Sequence, residues 1–102
     1  MVLYVTKYNL PPDKVDEYLQ WAPDAMQRML GAPGIKEVRV YMSVAGESQL
    51  IVTYEFESPE NWASWGTDAE VQKVILEFFR YALNPKTEIW NSSPLYPEPL
   101  RP

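Results

Sequence analysis

The chain has 102 residues, enough for one domain, with 46% hydrophobic residues, 14% aromatic residues and a formal charge of −5. Fourteen acidic residues against nine basic ones, with no Lys or Arg run, give no positive field for a polyanion and argue against nucleic acid and membrane surfaces as partners. Cysteine and histidine are both absent, which removes disulfides, thiolate nucleophiles, His- or Cys-ligated metals and an imidazole base.

Residues 2–9 read as a strand rich in β-branched and aromatic side chains, with Val2, Tyr4, Thr6 and Tyr8 on one face and Leu3, Val5 and Lys7 on the other. Leu10-Pro11-Pro12-Asp13 stops it, because successive prolines cannot donate to a ladder. Pro12 and Asp13 suit the first turn of a helix. The stripe Val15, Tyr18, Leu19, Ala22, Ala25, Met26, Met29 carries that helix forward at a 3.6-residue period. Gly31 is placed to be its left-handed C-terminal cap, and Pro23 to kink it near Trp21.

A second strand is predicted over 35–44, with Lys36, Val38, Val40, Met42 and Val44 facing the helices and Ile35, Glu37, Arg39, Tyr41 and Ser43 opposite. Ala45-Gly46-Glu47 turns it into a returning strand over 48–57. A three- or five-residue loop keeps Val40 and Met42 on the face of Leu50 and Val52, whereas a two-residue loop would reverse the parity. Ser58-Pro59-Glu60 opens a second helical region that pauses at Gly66. Thr67-Asp68-Ala69-Glu70, spaced as a capping box, restarts it. That helix is predicted to reach about Leu83, stopped by Asn84-Pro85, before a fourth strand over 86–91. The organisation is therefore one domain over 1–91 and a proline-rich tail over 92–102.

Strand-helix-strand-strand-helix-strand order predicts an α+β, ferredoxin-like βαββαβ fold: a four-stranded antiparallel sheet with both helices on one face. The uncovered face mixes Ile35, Tyr41 and Ile51 with Glu37, Arg39, Thr53 and Glu55, too apolar to be freely solvated. A second copy packed there, enclosing a partly polar cavity, accounts for the mixture, so a homodimer is expected. The opening residues lack the basic region and apolar run of a signal peptide, and no segment approaches a membrane span, so a cytoplasmic location is expected.

Ala32-Pro33-Gly34-Ile35 and Tyr54-Glu55-Phe56-Glu57-Ser58-Pro59-Glu60-Asn61-Trp62, running into Trp65, resemble the dimeric α/β-barrel superfamily and within it the antibiotic-biosynthesis-monooxygenase-like domains. The resemblance spans residues 1 to about 91. It implies a dimer of face-to-face sheets, a small-molecule pocket between sheet and helices, and an activity such as cofactor-independent oxygenation of aromatic or polyketide-like compounds. The haem-degrading branch of that family places an iron-ligating histidine at or near Ile75. With no histidine in the chain, that activity is rejected, although Trp65 matches the branch's tryptophan.

Cofactor-free oxygenation needs donors aimed at an electron-rich substrate and aromatic walls around it. The residue types that fit are Tyr8, Arg39, Glu55 and Asn61 as catalytic candidates, with Tyr8, Tyr41, Trp62 and Trp65 as pocket walls. No cofactor or metal is implied. Each candidate also has a structural explanation. Trp62 and Trp65 suit core packing, Arg39 suits an ion pair with Glu37 or Glu55, Tyr8 and Tyr41 suit a subunit interface, and Asn61 suits an early helix position. A non-catalytic ligand-binding or structural dimer is the alternative reading.

Overall fold

The computed structural model describes residues 1–102. The elements run β1 (Val2–Asn9), α1 (Val15–Gly31), β2 (Ile35–Met42), β3 (Leu50–Phe56), α2 (Pro59–Gly66), α3 (Ala69–Phe78) and β4 (Leu83–Asn91), with a 3₁₀ turn at Pro12–Lys14 ahead of α1. The four strands form one antiparallel sheet in the order β2-β3-β1-β4, the ferredoxin-like arrangement. No helix is long and apolar enough to cross a membrane.

The core lies between this sheet and the helices. Val2, Tyr8, Val52, Tyr54 and Phe56 rise from β1 and β3 to meet Tyr18, Ala25 and Met29 of α1, Trp65 of α2, and Val71 and Val74 of α3. The expected helix-facing alternation of β1 and β3 is the one seen. In the β2–β3 hairpin Val40 sits opposite Val52 and Met42 opposite Leu50. Ser43 N–H donates to the Gln49 carbonyl at 2.9 Å, closing a five-residue connection of the expected parity.

Several expectations need correction. A bulge between Ile35 and Glu37 shifts the register of β2. Ile35, expected on the uncovered face, therefore packs against the core, and Lys36 instead reaches Glu55 at 3.6 Å. On the same strand Val38 touches the core, while Val40 and Met42 stand exposed on the sheet edge. Gly31 is the last residue of α1 and is followed by an extended Ala32. The left-handed glycine comes three residues later: Gly34 has φ of 102°, and a Cβ there would meet the Asn61 carbonyl oxygen at 2.9 Å. Helix α1 runs through Pro23 without a break, as the expected stripe from Val15 to Met29 requires.

Ser58 caps α2 as expected, its Oγ accepting from Asn61 N–H at 3.1 Å. The cap of α3 is one residue later than expected. Asp68 Oδ1 accepts from Glu70 and Val71 N–H, while Thr67 closes α2 by donating its hydroxyl to the Ser64 carbonyl. Helix α3 ends at Phe78, and tight turns at Arg80 to Ala82 lead straight into β4. Asn84-Pro85 thus lies within the strand. Asn84 takes a left-handed φ of 51° where the pairing with β1 slips between Lys7 and Asn9. Both residues suit that position, since Asn tolerates positive φ and β4 is an edge strand where Pro removes no ladder bond of consequence.

Candidate functional site

Strand alternation decides which β-residues point toward the helices, and here those positions carry hydroxyls. Between sheet and helices lies a cavity of about 180 Å³. Its floor comes from the sheet: Tyr4, Thr6 and Tyr8 of β1, Tyr54 of β3, and Pro85 and Thr87 of β4. Thr6 sits directly opposite Thr87, and Tyr4 opposite Tyr54, across the ladder. The roof is wholly apolar or aromatic: Trp21, Met26 and Met29 from α1, Val74, Ile75 and Phe78 from α3, and Phe79 just beyond it. No charged side chain lines it.

Burial in this setting keeps the phenols protonated. It pushes Tyr8, Tyr54 and Tyr4 all above the ordinary tyrosine value, with the hydrogen bond to Tyr18 adding to the effect at Tyr8. Tyr8 and Tyr18 share a hydrogen bond between their hydroxyls, and Phe78 stands edge-on to Tyr8 at 4.7 Å. The floor is thus a set of neutral donors and acceptors at any physiological pH.

The roof is held in place from outside. Glu77 Oε1 accepts from the Trp21 indole at 2.8 Å, and both Glu77 oxygens accept from Arg28 at 2.8 Å. Arg28 also reaches Glu70 at 3.3 Å and Asp24 at 3.5 Å. The Arg28 bonds, then the Trp21 bond, bring the Glu77 carboxyl down to about 2. This fork ties α1 to α3 and fixes the indole of Trp21 over the cavity.

The expected site residues fall into four separate places. Tyr8 lines the cavity. Trp62 and Trp65 pack in the core beside Tyr4, at ring separations of 6.4 and 6.1 Å, and do not form its wall. Trp65 is fully buried and donates its indole N–H to the Met29 carbonyl at 3.0 Å. Arg39, Tyr41 and Glu55 sit on the opposite face of the sheet, around an open concavity shared with Leu3, Ile51 and Trp90. There Arg39 pairs with Glu37 at 2.9 Å. Asn61 is the helix-start residue whose backbone joins Ser58 and abuts Gly34. Thr6, Tyr54, Trp21 and Phe78 were not among the expected walls. The signal for the first two was present: Thr6 and Tyr54 are hydroxyl-bearing residues at core-facing positions of their strands.

The sequence profile of the antibiotic biosynthesis monooxygenase family matches residues 1–75. The chain belongs to that family. This antibiotic biosynthesis monooxygenase-like chain has no match among curated proteins. Its fold is shared with SnoaB, a cofactor-independent oxygenase from Streptomyces nogalater, at a TM-score of 0.75 and 7% identity over 95% of this chain and 97% of that one. An ethyl tert-butyl ether D (EthD) family protein from Bacillus halodurans gives a TM-score of 0.74 at 18% identity, over 91% of this chain and 99% of that one. A ferredoxin-like protein of unknown function from Thermobifida fusca, described as dimeric, gives 0.71 at 6% identity over 87% and 88%. At these identities the likeness is one of fold.

Proposed function

We propose that this protein binds a compact hydroxylated aromatic compound between the hydroxyl floor and the apolar roof, and there promotes its oxygenation by O2 without a cofactor. The observation that carries the reading is the two-sided cavity: Thr6, Tyr8, Tyr54 and Thr87 below, Trp21, Met26 and Phe78 above. A flat ring with oxygen at its edge satisfies both sides at once. A cavity near 150 Å³ accommodates benzene, so about 180 Å³ suits one or two fused rings. A larger polyketide would need the walls to move.

The reaction balances without help from the protein's redox chemistry. With 1-naphthol, one oxygen atom of O2 becomes the new carbonyl opposite the hydroxyl and the other leaves as water, giving 1,4-naphthoquinone. The neutral tyrosines stabilise the electron-rich oxygen by donating to it, and the roof excludes water. No side chain of the cavity is a base, so naphthol reacts as the neutral phenol, and its hydroxyl proton and the displaced ring hydrogen leave in the water formed from the second oxygen atom.

The test is oxygen uptake and ¹⁸O₂ labelling with 1-naphthol and metal-free, flavin-free protein. One labelled atom per quinone, with one O2 consumed, is expected. A rate equal to the protein-free control overturns the catalytic reading. The lack of any charged wall residue favours a second reading, non-catalytic binding of the same compounds, and binding without turnover would establish it.

The working unit of this reading is a homodimer joined through the far face of the sheet. In support, Leu3, Tyr41, Ile51 and Trp90 gather there, with Tyr41 46% and Trp90 44% exposed.

A further inference from the structure

Tyr8 and Tyr18 carry two hydroxyl protons, and their mutual hydrogen bond uses one. Neither oxygen makes any other hydrogen bond in the structure, and both residues are buried. The second proton therefore needs an acceptor. Tyr18 is surrounded by rings, with Trp21 at 6.0 Å and Tyr81 at 6.2 Å, whereas Tyr8 lines the cavity. The bond can run either way; Tyr8 lines the cavity and Tyr18 does not, so with Tyr18 as donor the Tyr8 proton is left for an acceptor in the cavity.

We propose that this hydroxyl couple is the specificity element of the site: Tyr8, polarised by the bond it accepts from Tyr18, donates to an acceptor oxygen on the ligand ring. The inference rests on the ligand reading above and narrows it. Compact ring ketones, quinones and phenols are selected over hydrocarbons of the same size, which leave the Tyr8 proton unpaired. They are also selected over carboxylates, because nothing in the cavity offsets a full negative charge. Tyr18 does not line the cavity and is a positioning residue.

Three probes separate the possibilities: acetophenone, ethylbenzene and benzoate, each titrated against the full chain and its Y8F and Y18F variants. Acetophenone should bind roughly two- to tenfold tighter than ethylbenzene, the range one net hydrogen bond supplies, and benzoate weakest. Its bound carbonyl stretch should shift to lower frequency. Tyr8→Phe should abolish both the preference and the shift while still binding ethylbenzene, which shows that the cavity is intact. Tyr18→Phe should reduce the shift without removing it. Equal affinities for acetophenone and ethylbenzene, tighter binding of benzoate, or a carbonyl shift that survives in Y8F would overturn the specificity proposal and leave the ligand cavity standing. An unchanged shift in Y18F would remove the relay from Tyr18. Failure of both neutral probes to bind would overturn the ligand reading as well.

Discussion

The two faces of the sheet put polar groups to opposite uses. On the helix side, Thr6, Tyr8, Tyr54 and Thr87 hold hydroxyls under an apolar roof, and every ionisable group there is a neutral phenol. On the far side, apolar Leu3, Ile51, Tyr41 and Trp90 are interleaved with full charges, as in Lys7–Glu88 at 3.1 Å and Arg39–Glu37 at 2.9 Å. Lys7 also lies 5.5 Å over the Trp90 ring. Neutral donors in an enclosed space can grip a small ligand without the desolvation cost that a charge would carry. Charges that remain half-solvated can instead set the register of a second protein surface. On the proposed reading, ligand recognition belongs to one face and association to the other.

The strongest way to break this division is to damage the helix face at its base. Trp65→Ala removes a buried indole and its bond to Met29, and should cost about 3–5 kcal/mol in chemical denaturation. A loss under 1 kcal/mol would mean that the helices do not pack as described. On the far face, Trp90→Asp should instead leave monomer stability nearly unchanged and raise the dimer dissociation constant at least ~30-fold, as a lost interface hot spot does. Sedimentation equilibrium would read this, and a wild-type chain that is monomeric at micromolar concentration would end the dimer proposal.

Filling the cavity sharpens the contrast. Ile75→Trp should cost roughly 1–3 kcal/mol through overpacking and eliminate the thermal shift given by 1-naphthol, with the dimer intact. A retained shift would place binding elsewhere.

Acid titration probes the fork above the roof. The Glu77 carboxyl is held at about 2, against 4.5 for the unperturbed group. Its pairing with Arg28 therefore contributes stability that is fully present above about pH 4.5 and is lost as pH falls toward 2. Glu77→Gln should flatten that part of the stability–pH curve, and a curve identical to wild type would remove the role assigned to the fork. The smallest effect is expected from the tail. Leu95, Tyr96 and Leu100 stand exposed. If they lie across a partner subunit, deleting residues 92–102 should weaken the dimer by a factor of a few, while an unchanged dissociation constant would rule that out.

The strand order, the faces of β1 and β3 and the hairpin parity were legible because period-2 alternation and turn length act locally and agree with one another. Ile35 was misplaced because a bulge inserts one residue and reverses the face, and no composition signal marks it. The end of α3 was misjudged because residues 79–83 contain no Gly or Pro and remain helix-compatible. Tight turns and the pairing of Leu83 with Asn9, a tertiary contact, win over local propensity. The site was legible only in its floor. Tyr8 could be read from alternation, but Trp21, Met26 and Phe78 meet over it through the packing of two helices distant in sequence. Trp62 and Trp65 drew attention by residue type and proved to be packing, since a helix face aimed at Tyr4 and Phe56 is buried before it can reach the cavity.

The most direct test of where the ligand sits is a crystal structure grown with 1-naphthol. Ring density between the Tyr8 and Tyr54 hydroxyls and the side chains of Met26 and Phe78, with the naphthol oxygen within hydrogen-bond distance of Tyr8, is the expected result. An empty cavity with the ligand lodged against Tyr41 and Trp90 on the far face, or bound nowhere, would contradict it.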